Sequence, residues 1–215
     1  MTNKNKLKFS PLFPNSPPTE SSPISSNNLV DAQKPLLPKQ SGNSLDHRYQ
    51  SDDSYTILFL SKRGMSRSPL AREVLREKIS RSPFFGKYRV SSRGVTQAYD
   101  QCPIDGNLRT YADKLGYVLQ GYSRFATLPD LAQADLLIPL DHESDDFTKV
   151  HRHALRGKVQ SFGTFLPAGS SPFVDDPYDR DEDVSTEETY NEIIHYIRLG
   201  CSKILLEIPS LISKD

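Results

Sequence analysis

Residues 55 to 60 read Tyr-Thr-Ile-Leu-Phe-Leu, a β-branched and aromatic run with hardly a polar position in it. A strand of this kind needs apolar cover on both faces, the situation of a central strand in a parallel sheet. A polar loop, Ser61-Lys62-Arg63-Gly64-Met65-Ser66-Arg67, follows at once. Ser68-Pro69 then places a capping hydroxyl ahead of a proline suited to the first helical position. Beyond it Leu70, Ala71, Val74, Leu75 and Ile79 recur at helical spacing. Strand, loop and helix in this order open an α/β domain at Tyr55.

The alternation continues. Tyr88 to Ser92 reads as a second strand, Asp105 to Leu115 as a helix closed by Gly116, Ala134 to Leu140 as a third strand and Val159 to Phe162 as a short fourth. Ser185 and Glu188 form a capping box before a last helix with Ile193, Ile194, Ile197, Cys201, Ile204 and Leu205 on one face. This pattern predicts a doubly wound four-stranded parallel sheet with helices on both faces. Cys201, on the apolar stripe, is expected to be a packing thiol.

Residues 1 to 54 mix Ser, Pro, Asn and Lys with few aromatic or β-branched residues, too little apolar material to offset the entropy of ordering. They are expected to form a disordered arm, followed by a domain over 55–208 and a tail over 209–215. Zero formal net charge leaves no basic excess that would suggest nucleic acid, so charge arguments have to be local, and the apolar runs 57–60 and 136–140 are too short to span a bilayer. Prolines at 11, 14, 17 and 18 interrupt any secretory-type segment, so a cytoplasmic location is expected. Two cysteines make neither a disulfide framework nor a zinc site, and no metal or organic cofactor is implied.

In open α/β sheets ligands bind beyond the carboxyl ends of the strands, where the 61–69 loop lies. Successive amide groups in a tight loop entering a helix converge on an anion, and a guanidinium at the loop's end can take two of its oxygens. Arg67 is so placed. The stretch Ser61-Lys62-Arg63-Gly64-Met65-Ser66-Arg67-Ser68-Pro69 resembles the Cys-x-Gly-Asn-x-Cys-Arg-Ser-Pro signature of the low-molecular-weight protein tyrosine phosphatases. A second stretch, Val174-Asp175-Asp176-Pro177-Tyr178 ahead of an acidic cluster and the last helix, resembles that family's Asp-Pro-Tyr loop. Ser91-Ser92 with Gly94, Leu140-Asp141 and Phe162-Gly163 are weaker echoes between the two.

The resemblance implies a phosphate-binding loop made by Lys62, Arg63, Gly64, Met65, Ser66, Arg67 and Ser68. It casts Arg67 as the holder of the phosphoryl oxygens, Asp176 as the general acid and Tyr178 as a wall against the substrate ring. It also places Ser61 where the family carries its nucleophilic cysteine, and Ser66 where a second cysteine often stands. A thiol starts near a pKa of about 8.5 and a phosphate-binding loop lowers it, whereas a serine hydroxyl starts far higher and needs an adjacent base. His142, His151 and His153 read as solvated loop histidines.

Two further departures bear on the loop. Gly64 replaces an asparagine that occupies a left-handed position in the family, a conformation glycine adopts freely. Arg63 replaces glycine, which either draws anions to the mouth together with Lys62 or distorts the loop. Asp179, where an aromatic residue often follows the tyrosine, joins Asp181, Glu182 and Asp183 in what reads as a solvated turn. The leading reading is a catalytically impaired domain that binds phosphate or a phosphotyrosine-containing protein, with no nucleic-acid or membrane partner. An active phosphatase and a structural module with a decayed pocket are the alternatives. Arsenate reduction fits poorly, since it needs several cooperating thiols.

Overall fold

The computed structural model describes residues 54–179 and 185–212. The expected arm lies outside the described residues but for Ser54, as do Asp181, Glu182 and Asp183. Four strands, β1 (Tyr55–Ser61), β2 (Tyr88–Gly94), β3 (Leu136–Pro139) and β4 (Lys158–Val159), make one parallel sheet in the order β2-β1-β3-β4. Among the described residues five α-helices accompany them: α1 (Arg67–Ser80), α2 (Gly106–Asp113), α3 (Leu128–Gln133), α4 (His142–Val150) and α5 (Thr186–Leu211). The architecture is the doubly wound α/β sheet that the sequence predicts.

The period of a strand sorts β1 onto two cores. Ile57 and Phe59 pack with Leu70, Val74 and Leu75 of α1 and with Ile193, Ile197, Cys201 and Ile204 of α5. Leu58 and Leu60 face the other way, onto Leu131 of α3 and Leu137 of β3. All four β1 residues are buried, which is why this run carries no polar alternation. Cys201 is fully buried, and burial pushes its thiol up, as a packing residue requires.

Several elements differ from the expectation. The first helix begins at Arg67, with Ser66 at its N-cap position, so Ser68-Pro69 sits inside the first turn and does not start it. Proline is tolerated there because a first-turn amide has no helical acceptor in any case. The fourth strand is only Lys158–Val159, and residues 162–165 form a 3-10 turn whose Phe162 faces the core. The third strand is shorter than expected, and α3 and α4 arise where no helix was read. Both are fixed by reciprocal caps, Thr127 with Asp130 and Asp141 with Ser144. At α5 the Ser185 hydroxyl accepts from the Glu188 amide, and the helix runs on through Pro209 to Leu211, with Ile212 buried beyond it.

Phe162 packs edge-on against Phe59, with ring centroids 6.5 Å apart, and lies against α5 at Gly200. A Cβ at Gly200 would come within 2.3 Å of the Phe162 ring, so the absent side chain lets the helix settle on the turn. Truncating this ring leaves a cavity between sheet, turn and helix. Phe162→Ala is expected to cost about 3–5 kcal/mol, read as a lower urea midpoint at unchanged slope.

Candidate functional site

The order β2-β1-β3 means that the chain leaves β1 for one neighbour and later returns to its other side, which makes the carboxyl ends of β1 and β3 the switch point of the sheet. Two loops open there. One carries residues 62–66 from β1 into α1, and the other begins at Asp141 after β3.

The first loop is fastened from outside through its carbonyls. Val95 and Thr96 donate to the Lys62 carbonyl at 3.2 and 3.0 Å, Asp105 to that of Met65 at 3.0 Å and Leu70 to that of Ser66 at 3.1 Å. Because the two polar groups of a peptide point in opposite directions, carbonyls turned outward leave the following amides turned inward. Lys62 N–H donates to Asp141 Oδ2 at 2.7 Å. The amides of residues 63 to 68 find no acceptor among the described residues. Gly64 has φ +70°, and a Cβ there would fall 2.6 Å from the Gly94 amide nitrogen, so the turn needs both the left-handed conformation and the missing side chain. Gly94 meets the Arg63 carbonyl just as closely. This accounts for the glycine that ends the second strand.

Arg67 is only 1% exposed. One terminal nitrogen donates to the Val174 carbonyl at 2.8 Å, and the other reaches Asp176 Oδ2 at 2.6 Å and Asp141 Oδ2 at 2.9 Å. Its Nε is buried and has no partner among the described residues. A guanidinium held at one end by two carboxylates, with a free N–H on its stem, is a fixed charge with donor capacity left over. Beside it the Ser61 and Ser68 hydroxyls lie 2.8 Å apart, and Ser68 also contacts the Arg93 carbonyl at 3.2 Å. Ser61 is buried, and its hydroxyl partner is a second serine. Ser66 is buried and makes no side-chain cap, and Met65 is partly buried.

The other sequence-derived residues converge on the same place. Asp176 is buried and accepts from Arg67 and Arg63 on Oδ2 and from the Tyr178 amide on Oδ1, at 3.1 Å for the last. Tyr178 is 43% exposed, and its hydroxyl donates to Asp105. Tyr190 donates to the same carboxylate oxygen at 2.7 Å, and burial together with Asp105 raises both phenols. Lys62 reaches Glu143 at 2.7 Å and Asp179 at 3.3 Å. Asp179 therefore belongs to the site as an ion-pair partner and is more than part of a solvated turn. His142 is exposed and stacks on Phe173, and His151 bonds the Phe147 carbonyl through Nδ1 at 2.9 Å.

Two site residues have no role assigned from the sequence, although Leu140-Asp141 is one of the weaker family echoes. Asp141 joins the loop amide, Arg67 and the start of α4, and Asp105 joins the Met65 carbonyl, α2 and both tyrosines. The local chemical signal for either is a helix-capping aspartate, which says nothing of a second task.

A family model for low molecular weight phosphotyrosine protein phosphatase matches residues 56–214. The chain belongs to that family. Among solved structures it is similar to a protein tyrosine phosphatase from Entamoeba histolytica, at 19% identity and TM-score 0.65, covering 73% of this chain and 98% of that one. The Drosophila arginine phosphatase DARP aligns at 17% identity and TM-score 0.62, over 74% and 99% of the two chains. The Streptococcus pyogenes phosphatase SP-PTP aligns at 20% and 0.58, over 74% and 95%. At such identities these likenesses speak for the fold. No curated protein sequence matches the chain. Among the described residues no helix is long and apolar enough to cross a membrane.

Removing the Asp141 carboxylate would leave the Lys62 amide without its acceptor and strip Arg67 of one of its two buried counter-charges. Asp141→Ala is expected to cost about 3–5 kcal/mol in urea unfolding and to speed hydrogen exchange at the Lys62 amide. Asp141→Asn, which keeps an acceptor oxygen, should cost less.

Proposed function

We propose that this domain binds the phosphoryl group of orthophosphate or a phosphomonoester in the 62–68 loop and turns it over slowly or not at all. The observation that carries the reading is the donor set: amides from 63 to 68 with no acceptor among the described residues, those of 63, 66 and 67 turned inward, beside a buried Arg67 whose Nε is likewise unpaired. An unpaired buried donor such as the Arg67 Nε is costly in a folded chain, and amides turned to one side of a loop are complementary to the oxygens of a tetrahedral dianion. Membership in a phosphotyrosine phosphatase family supports the same ligand class.

Impaired turnover rests on Ser61. In the family's scheme the nucleophile stands at the floor of this loop, and a hydroxyl in that place keeps its proton at neutral pH unless a base removes it. The partner of the Ser61 hydroxyl is Ser68, which is no stronger a base. A neutral hydroxyl also spares the incoming dianion the repulsion that a thiolate would exert, so capture suffers less than chemistry.

Calorimetric titration of the full chain with orthophosphate tests the binding. Saturable heat is expected and should be lost in Arg67→Ala; absence of binding at millimolar phosphate removes the reading. For the chemistry, the native protein should hydrolyse acetyl phosphate no faster than Arg67→Ala does. Ser61→Cys should raise that rate on the order of a hundredfold or more, an effect of about 2.7 kcal/mol on the barrier. Native turnover that disappears in Ser61→Ala would instead establish an active enzyme.

A further inference from the structure

Arg63 stands in the loop, yet its side chain takes no part in the cradle. It crosses to the segment after Val174, where its guanidinium donates to Asp176 Oδ2 and, at 3.0 Å, to Asp179 Oδ1. It also lies over two aromatic rings, 4.9 Å from the centroid of Tyr178 and 5.5 Å from that of Tyr99. Two carboxylates and two ring faces satisfy both the charge and the flat surface of a guanidinium. The side chain is only 15% exposed. Lys62 leans the same way, onto Glu143 and Asp179. Neither cation is thus left to draw anions toward the mouth, and the backbone of the loop keeps its close contact with Gly94 despite the bulk at 63.

Those partners matter because of where they are. Tyr178 is the expected wall for an ester's ring, and Asp176 the group expected to face its leaving oxygen. With its guanidinium bonded to Asp176 and stacked on Tyr178, Arg63 lies where the ester group of a bound phosphomonoester would lie. We propose that Arg63 is a built-in occupant of the leaving-group cleft, which admits orthophosphate and small esters while excluding aryl phosphates. The reading of ligand class rests on the phosphate-binding function above, whereas the occupancy of the cleft does not.

Burial works against the charge on Arg63, but its contacts with Tyr99, Asp179 and Asp176 outweigh it and hold the group above its ordinary pKa. Asp179 is lowered in turn, first by its hydrogen bond to Arg63. The occupant therefore stays charged across the neutral range.

The test compares the native chain with Arg63→Gly and Arg63→Met, each first checked by its thermal melt; methionine keeps length without charge, should glycine loosen the loop. Phosphotyrosine and orthophosphate are titrated into each protein by calorimetry. The native chain should prefer orthophosphate by tenfold or more, and the ratio of the two dissociation constants should shift toward phosphotyrosine by at least tenfold in Arg63→Gly. Methylguanidinium, which carries no phosphate, is titrated separately. It should perturb the Tyr99 and Tyr178 ring resonances of Arg63→Gly in a saturable manner and leave those of the native chain unmoved. If orthophosphate binds but the ratio is the same in native and variant proteins and methylguanidinium has no effect on the variant, the proposal is overturned while the phosphate site stands. If neither phosphate ligand binds any protein and methylguanidinium still selects the variant, the phosphate site falls and the occupied cleft stands. Equal effects of methylguanidinium on native and variant proteins also overturn it.

Discussion

The burial of one guanidinium organises this molecule. Taking a charge out of water costs several kcal/mol unless counter-charges and hydrogen bonds are built around it, and Arg67 is almost wholly enclosed. Its partners come from places far apart in the sequence: the Val174 carbonyl and Asp176 from the segment before α5, and Asp141 from the end of β3. Satisfying one side chain therefore pulls three segments to the switch point of the sheet. The same Asp141 oxygen that faces Arg67 also receives the first amide of the loop, so loop and guanidinium are positioned by one atom.

Around that centre the backbone supplies directionality. The carbonyls of Lys62, Met65 and Ser66 are taken by amides from residues 70, 95, 96 and 105, and the amides that follow them, of 63, 66 and 67, are turned inward as a consequence. The close approach of Gly64 to Gly94 is what lets the loop lie against the end of β2. A side chain at either glycine would push the loop off the surface that fixes its carbonyls. Asp105 extends the arrangement, since its backbone holds Met65 while its carboxylate holds the tyrosine of the acidic segment and another from α5. The cradle and its rim are thus one connected hydrogen-bonded unit.

Much of this was legible from residue order. The unbroken apolar run of β1, the helical spacing after Pro69 and the stripe of α5 each report a local period, and each became the element its period implies. The pairing of the Arg67 loop with the Asp176 loop was legible too, as two motifs in family order, and their side chains are in contact. What failed was local grammar with more than one meaning. Ser68-Pro69 reads as a helix start, but tethers at Met65 and Ser66 draw the turn in earlier, and the Ser68 hydroxyl goes to Ser61 and Arg93 instead. Phe162 reads as the end of a strand, whereas it is core-facing from a turn. Asp141 and Asp105 look like any capping aspartate until the sheet brings Arg67 and the tyrosines to their second oxygens.

The sequence by itself determined the alternation of strands and helices, the position of the polar loop after β1 and the presence of serine at the end of the strand that leads into it. These are properties of consecutive residues, carried by periodicity, capping chemistry and the order of a motif. Only the tertiary structure decided what the charges do. Whether Arg63 points into the cradle, into solvent or across the cleft depends on which carboxylates and rings lie within its reach, and Asp176, Asp179, Tyr99 and Tyr178 come within reach only after the sheet has closed. A long cationic side chain has no preferred direction of its own, so its role is set by partners that folding delivers from elsewhere in the chain.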